Sequence, residues 1–313
     1  MEKTSKIYVA GHKGLVGSAI VRRLQELEYS NLILKTKEEL DLLDQEATND
    51  FYKKEKPEYV FVAAAKVGGI LANRDHKADF IYENLQIECN LIRGAYDHGV
   101  NKLLFLGSTC IYPKMCPQPI KEEYLLTGPL EESNDAYAIA KIAGMKMCHD
   151  FKEQYGVNFI SAMPTNLYGY NDNFKLGGGH VLPELMIKFH EAKLNNTPEV
   201  IALGTGSPLR EFLFVDDLAD ALVFLMNNYD ENQFVNIGTG EEVSIKQLTE
   251  MIKDITQYKG NIVWDTSKPD GTPRKLCDVT RLHNLGWKHK VSLEEGIKLT
   301  YKWFVENYET IRH

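Results

Sequence analysis

The sequence has no long apolar run. From its first residue, MEKTSKIYVAGHKG, it reaches a glycine-rich turn after a stretch too short for the hydrophobic segment of a secretory signal. No later run is long enough to cross a membrane, so a cytoplasmic protein is expected. Cysteine is scarce, and its number is odd: Cys89, Cys110, Cys116, Cys148 and Cys277. Their spacings fit no zinc pattern. Free thiols in a reducing compartment follow, with no metal expected. Excess positive charge is also missing. The formal net charge is −8, which argues against nucleic-acid binding but leaves room for a local basic pocket around a small anion. Tandem repeats, low-complexity tracts and a clean linker are absent. At 313 residues, the chain predicts one large domain or two intimately joined ones.

What is present is a rhythm. Short apolar runs at Ile7–Ala10, Leu32–Lys35, Tyr59–Ala63, Leu103–Leu106 and Asn158–Met163 read as strands. Between them, Leu15–Leu27, Asp44–Lys54, Asn73–His98 and Tyr137–Tyr155 read as helices. Such alternation predicts an α/β fold: a doubly wound, Rossmann-type parallel sheet with helices on both faces and right-handed crossovers. Beyond Pro164 the loops lengthen and fill with Gly, Asn and Pro. Helices are expected at Leu182–Leu194, Asp217–Asn227, Ile245–Ile255 and Leu293–Asn307, with Ser244 and Ser292 as N-caps of the last two. The reading is a dinucleotide-binding domain over 1–165 and a smaller, mixed α/β substrate-binding domain over 166–313, with the chain free to cross back between them.

The first apolar run enters GHKGLVG, with Gly11, Gly14 and Gly17 three residues apart, and a helical pattern begins at once. Glycines there permit a tight turn and let backbone approach a pyrophosphate, which the helix N-terminus attracts. Strand before and helix after make this a strong dinucleotide signature. An NAD site usually carries Asp or Glu after the second strand. Here Lys35 and Lys37 stand there, and Lys13 lies inside the turn. Ammonium groups attract a 2′-phosphate, and NADP(H) is the expected cofactor.

Residues 137–141 read YAIAK, which puts Tyr137 and Lys141 on one helix face. A nearby ammonium is expected to lower the phenol's pKa and make Tyr137 a proton donor or acceptor near neutrality, while Lys141 can also hold the nicotinamide ribose. Ser108, at the end of the LLFL strand, can hydrogen-bond the carbonyl that Tyr137 serves.

These features together resemble the extended short-chain dehydrogenase/reductase family, over nearly the whole chain. In that family, the resemblance implies, Ser108, Tyr137 and Lys141 form the triad for hydride transfer at a sugar carbon, and the C-terminal part binds a nucleotide sugar. Dehydratases of the family follow the strand-end Ser/Thr with an Asp-Glu pair, where this chain has Cys110 and Ile111. The stretches AGHKGLVGSAIVRRL, AAAKVGGI, NKLLFLGSTCIYPK, AYAIAKIAG, MPTNLYG, REFLFVDD and KPDGTPRKL resemble a branch acting on a GDP-bound 4-keto-6-deoxy sugar. That branch epimerises C3 and C5, then reduces C4 with NADPH. Its epimerisation pair maps onto Cys110 and His180. A C4 ketone acidifies both neighbouring C–H bonds, and a thiol and an imidazole can be tuned to exchange those protons.

The same resemblance implies cofactor contacts from Gly11, Lys13, Gly14, Leu15, Val16, Gly17, Lys37, Asp41, Leu42, Lys141, Pro164, Asn166, Leu167 and His180. It implies substrate contacts from Asn166, Lys188, Leu203, Arg210, Asp270 and Lys275, and a homodimer packed through the Asn73–His98 and Tyr137 helices. Two departures stand out. Lysines occupy the 2′-phosphate site where the family often has arginines, and Leu203 stands where it can place a tryptophan. Another nucleotide-sugar epimerase or reductase, or a noncatalytic NADP-binding sensor, remains the alternative; a sensor has no need of Ser108, Tyr137 and Lys141 together.

Overall fold

The computed structural model describes residues 1–176, 179–268 and 270–311. Six parallel strands form the main sheet, in the spatial order Val235–Ile237, Asn158–Pro164, Lys102–Leu106, Tyr59–Val62, Ile7–Ala10, Leu32–Ile33. The strands are buried on both faces, as parallel strands are. Along the first, Ile7 and Val9 enter one core and Tyr8 and Ala10 the other. Helices Leu15–Glu26 and Val215–Asn228 cover the first face. Gln45–Glu55, Lys77–Asp97 and Asp135–Tyr155 cover the second.

The helix expected from Asn73 to His98 is two helices, Ile70–Asp75 and Lys77–Asp97. His76 separates them, with ψ of 36° outside helical values. The second strand is only Leu32–Ile33, because it lies at the sheet edge with one neighbour. Both expected caps form. Ser244 accepts from the Gln247 N–H in a capping box, and Ser292 from the Glu295 N–H.

A third core joins helices Val181–Leu194, Ile245–Thr256 and Leu293–Asn307. Around it lie small sheets: Asn166–Tyr168 with Phe212–Phe214; Glu199–Leu203 with Asn261–Asp265; and Val243–Ser244, Leu209–Arg210 and Arg274–Lys275. Glu211, fully buried, ties this region to the main sheet. One of its carboxylate oxygens accepts from the N–H groups of Thr239 and Gly240, both at 2.7 Å, and the other from Cys277 N–H at 2.9 Å. Its carbonyl accepts from Asn166 Nδ2 at 2.8 Å. Replacing Glu211 with alanine leaves three donors without their acceptor. The expected loss in urea unfolding is about 3–5 kcal/mol, whereas a loss below about 1 kcal/mol would show that the carboxylate does not hold the two regions together.

Candidate active site

Strand order reverses between Ile7–Ala10 and Tyr59–Val62, and a crevice opens beyond their C-terminal ends. Gly11 sits there with φ of 82°, and a Cβ on it would stand 2.8 Å from the Ala64 backbone. A Cβ on Gly17 would collide with the Gly11 carbonyl oxygen. Gly14, the N-cap of Leu15–Glu26, has room for a side chain, so Gly11 and Gly17 alone need to be glycine for packing. The first turn, which includes Leu15 and Val16, carries no acidic residue, leaving the positive helix end to an anion. This cradle fits a dinucleotide.

The cations beyond it are partly engaged. Lys13 and Lys37 are exposed, but Lys13 lies near enough to Glu38 to help hold that carboxyl below its ordinary value. Lys35 leans to Glu55, with Nζ 3.9 Å from its carboxylate. Glu39 caps Thr36 N–H at 2.7 Å. His12, inside the turn, is held below the ordinary histidine pKa, first by desolvation and then by Lys13. Asp41 accepts from Leu43 N–H at 3.1 Å, and the Leu42 carbonyl accepts from Asn90 Nδ2 at 2.8 Å, which fixes the loop beyond the second strand.

The strand Lys102–Leu106 ends in a single 3-10 turn, Thr109–Ile111, packed against helix Asp135–Tyr155. Ser108 caps this turn: its Oγ accepts from Cys110 N–H at 3.2 Å, which leaves the hydroxyl proton for a ligand. Cys110 stands close enough to Tyr137 for its charge to be felt there. Burial pushes the Tyr137 pKa well above the ordinary phenol value, and Cys110 and Glu88 add to the rise. The expected lowering by Lys141 is therefore not what the free protein shows. The Lys141 ammonium instead pairs with Glu88 at 2.9 Å, and lies 5.8 Å from the Tyr137 ring centroid.

Asn134, which sequence reasoning passed over, donates from Nδ2 to Cys110 Sγ at 3.3 Å. Its Oδ1 is buried without a hydrogen-bond partner among the described residues. It is the N-cap of the Tyr137 helix, one turn before Tyr137, and that position was the only signal for it.

His180 is the N-cap of Val181–Leu194 and is accessible in its recess, where desolvation draws its pKa below the ordinary histidine value. Gly177 and Gly178 of the preceding KLGGGH loop lie outside the described residues. Pro164 ends the strand Asn158–Pro164, opposite Ile237, and Leu167 packs against the core. Asn166 spends its amide N–H on the Glu211 carbonyl.

On adjacent parallel strands, Arg210 and Lys275 are direct register partners. Like charges placed side by side repel, and among the described residues neither has a carboxylate within 4 Å. Burial draws the Arg210 pKa down, and only Asp270 opposes this. Two such cations form a seat for a multiply charged anion. Asp270 accepts from Thr205 N–H at 2.9 Å and Oγ1 at 2.6 Å, which ties the loop after Leu203 to the loop before Arg274. Leu203 is 54% exposed at the end of its strand. Lys188 pairs with Glu184 at 2.7 Å, one turn back on its own helix.

A dinucleotide cradle and a Ser–Tyr–Lys group at the same sheet edge, together with two adjacent cations on the smaller sheets, define an oxidoreductase-type site. The model of the NAD dependent epimerase/dehydratase family matches residues 7–238. The chain belongs to this family. It is 59% identical over 306 residues to GDP-L-fucose synthase 1 of Arabidopsis thaliana, covering 98% of this chain and 95% of that protein. It is 51% identical over 316 residues to GDP-L-fucose synthase of Escherichia coli K12, covering 98% of each. Among solved structures, a GDP-L-fucose synthetase from Naegleria fowleri bound to NADP superposes with a TM-score of 0.93 at 34% identity, over 100% of this chain and 98% of that one.

The N–H donated by Asn134 fixes the Cys110 sulfur against the start of the Tyr137 helix. In Asn134→Ala, with this anchor gone, the rate of Cys110 alkylation by iodoacetamide at pH 8, followed by peptide mass spectrometry, is expected to change by about threefold or more. An unchanged rate would remove Asn134 from control of the thiol.

Proposed function

We propose that this enzyme converts GDP-4-keto-6-deoxy-D-mannose to GDP-L-fucose, by epimerising C3 and C5 and then reducing the C4 ketone with NADPH. The near-full-length identity to two proteins named as GDP-L-fucose synthases carries the reading, and the thiol beside Tyr137 gives it chemistry. Gly11, Gly14, Gly17, Leu15 and Val16 hold the pyrophosphate, with Asp41 and Leu42 at the adenosine end. Lys13 and Lys37 attract the 2′-phosphate, and NADPH is preferred. Lysine supplies charge without the fork of arginine, so the preference rests on attraction more than on geometry. Bound NADPH supplies the hydride for C4.

The chain supplies the rest. Arg210 and Lys275 bind the diphosphate of the substrate, with Lys188, Asp270, Asn166 and Leu203 around the remainder. Cys110 and His180 work on opposite faces of the sugar: one removes a proton from C3 or C5, and the other returns one. The pair holds one proton to share, as thiol with imidazole or as thiolate with imidazolium. Desolvation, which draws the His180 pKa down, favours the neutral imidazole at rest. The enolate formed in each inversion carries its charge on the C4 oxygen, where hydroxyl donors from Ser108 and Tyr137 stabilise it. Tyr137 then gives its proton to the same oxygen as C4 is reduced.

The enzyme acts in the cytoplasm as a homodimer joined through Lys77–Asp97 and Asp135–Tyr155. The exposed Tyr82, Ile139 and Tyr155 on these helices support that face. No helix among the described residues is long and apolar enough to cross a membrane.

The test is incubation with GDP-4-keto-6-deoxy-D-mannose and NADPH, with product identification. Loss of NADPH absorbance with GDP-L-fucose as product is expected. A C4 alcohol with C3 and C5 uninverted would reduce the enzyme to a C4 reductase and overturn the reading. Cys110→Ser is expected to lose inversion while binding NADPH as the wild type does, and unimpaired inversion would remove Cys110 from the chemistry.

A further inference from the structure

The Lys141–Glu88 pair is buried almost completely, with side chains 2% and 1% exposed. Taking both charges out of water costs several kcal/mol per ion before their attraction repays it. A pair in such a place is poor stabilisation for its own sake, and Glu88 has gained little besides: neither the carboxylate oxygen that faces Lys141 nor the second one makes a well-formed hydrogen bond among the described residues. The fold nevertheless makes room for it. Gly144 lies on the same helix as Lys141, where a Cβ would stand 2.7 Å from that second oxygen and would collide with the Phe105 ring. The ammonium thus sits between the Glu88 carboxylate and two ring faces, 4.8 Å from the Phe105 centroid and 5.8 Å from that of Tyr137.

Resting on the reading that Tyr137 protonates the C4 oxygen, we propose that Glu88 is a positioning residue: it neutralises the Lys141 ammonium so that Tyr137 keeps its proton until the reduction takes it. An uncompensated ammonium beside a phenol favours the phenolate, and a phenolate has no proton to give. Reduction of a ketone needs the loaded acid, because the oxygen receives a proton as the carbon receives hydride.

The ionisable groups around the carboxylate act in one direction. From helix Asp135–Tyr155, Lys141, Tyr137 and Cys148 face it; Cys110 faces Tyr137 from the 3-10 turn; Cys89 flanks Glu88 on its own helix; Phe105 of the sheet contributes no charge. Burial raises Tyr137, Cys148 and Cys89, and the Glu88 charge adds to each rise, Cys148 being pushed up to about 12. Burial raises Glu88 itself, and Lys141 opposes that rise. With the carboxylate removed, the ammonium is left uncompensated 5.8 Å from the Tyr137 ring centroid, with the Cys148 thiol, which also faces Glu88, as the rival for its charge.

The test is a pH titration of protein labelled with 13C at the tyrosine Cζ, in wild type and Glu88→Gln, with Tyr137→Phe used only to assign the Tyr137 signal. Tyr137 phenolate is expected in Glu88→Gln at a pH about 1 unit or more below any at which the wild type shows it. Glu88→Asp, which keeps the charge but withdraws it by one methylene, is expected between the two. Should Glu88→Gln fail to fold, as judged by near-ultraviolet circular dichroism, the Asp variant decides alone. A Tyr137 signal that titrates as in the wild type, including the case in which Cys148 ionises instead, overturns the proposal. A merely structural role for Glu88 would not move this signal. No substrate is needed: a wild type that leaves the keto sugar unreacted would sink the functional reading and leave the Glu88 result to stand by itself.

Discussion

The packing of helix Asp135–Tyr155 on Lys77–Asp97, closed around a buried ammonium and a buried carboxylate, is the constraint from which the site follows. It decides where Tyr137 stands, because Tyr137 and Lys141 share a face of one rigid helix. It also shapes the state of Tyr137 in the free protein, where burial first, then Cys110 and Glu88, hold the phenol pKa above its ordinary value. The same helix begins at Asn134, which reaches the Cys110 sulfur, so one element touches both the reducing and the epimerising ends of the proposed chemistry.

Around that element, the sheet supplies position and the smaller lobe supplies charge. Ser108 and Cys110 hang from the end of a fully buried strand through a single 3-10 turn, and this leaves them little freedom. The glycine cradle sits at the reversal of strand order, where packing opens a crevice in any doubly wound sheet. On the smaller sheets, Arg210 and Lys275 are forced side by side by strand register and repel each other. Glu211 ties the two regions together by accepting from the backbone N–H groups of Thr239, Gly240 and Cys277.

The sequence reading reached what is local. A glycine turn between strand and helix, a tyrosine and lysine one turn apart, and serine caps are all written in neighbouring residues, and each lies where its pattern put it. What escaped it is long-range. A glutamate inside a helix is ordinarily solvated, and nothing within Lys77–Asp97 announces that Glu88 faces a lysine from another helix. Burial of Tyr137, with Cys110 and Glu88 adding to it, reversed the expected direction of its pKa. The adjacency of Arg210 and Lys275 depends on the register of two-residue strands too short to show a pattern. Asn134 was passed over because its partner is a sulfur in a different turn. The break at His76 is likewise invisible to apolar periodicity, which runs on through it.

The central claim is that one carbonyl pocket first exchanges the protons on both carbons flanking the ketone and then reduces the ketone. The most direct measurement is to run the complete reaction in D2O with unlabelled NADPH and read the product by proton NMR. The account predicts deuterium at C3 and at C5 and protium at C4. Protium retained at either C3 or C5 would contradict it.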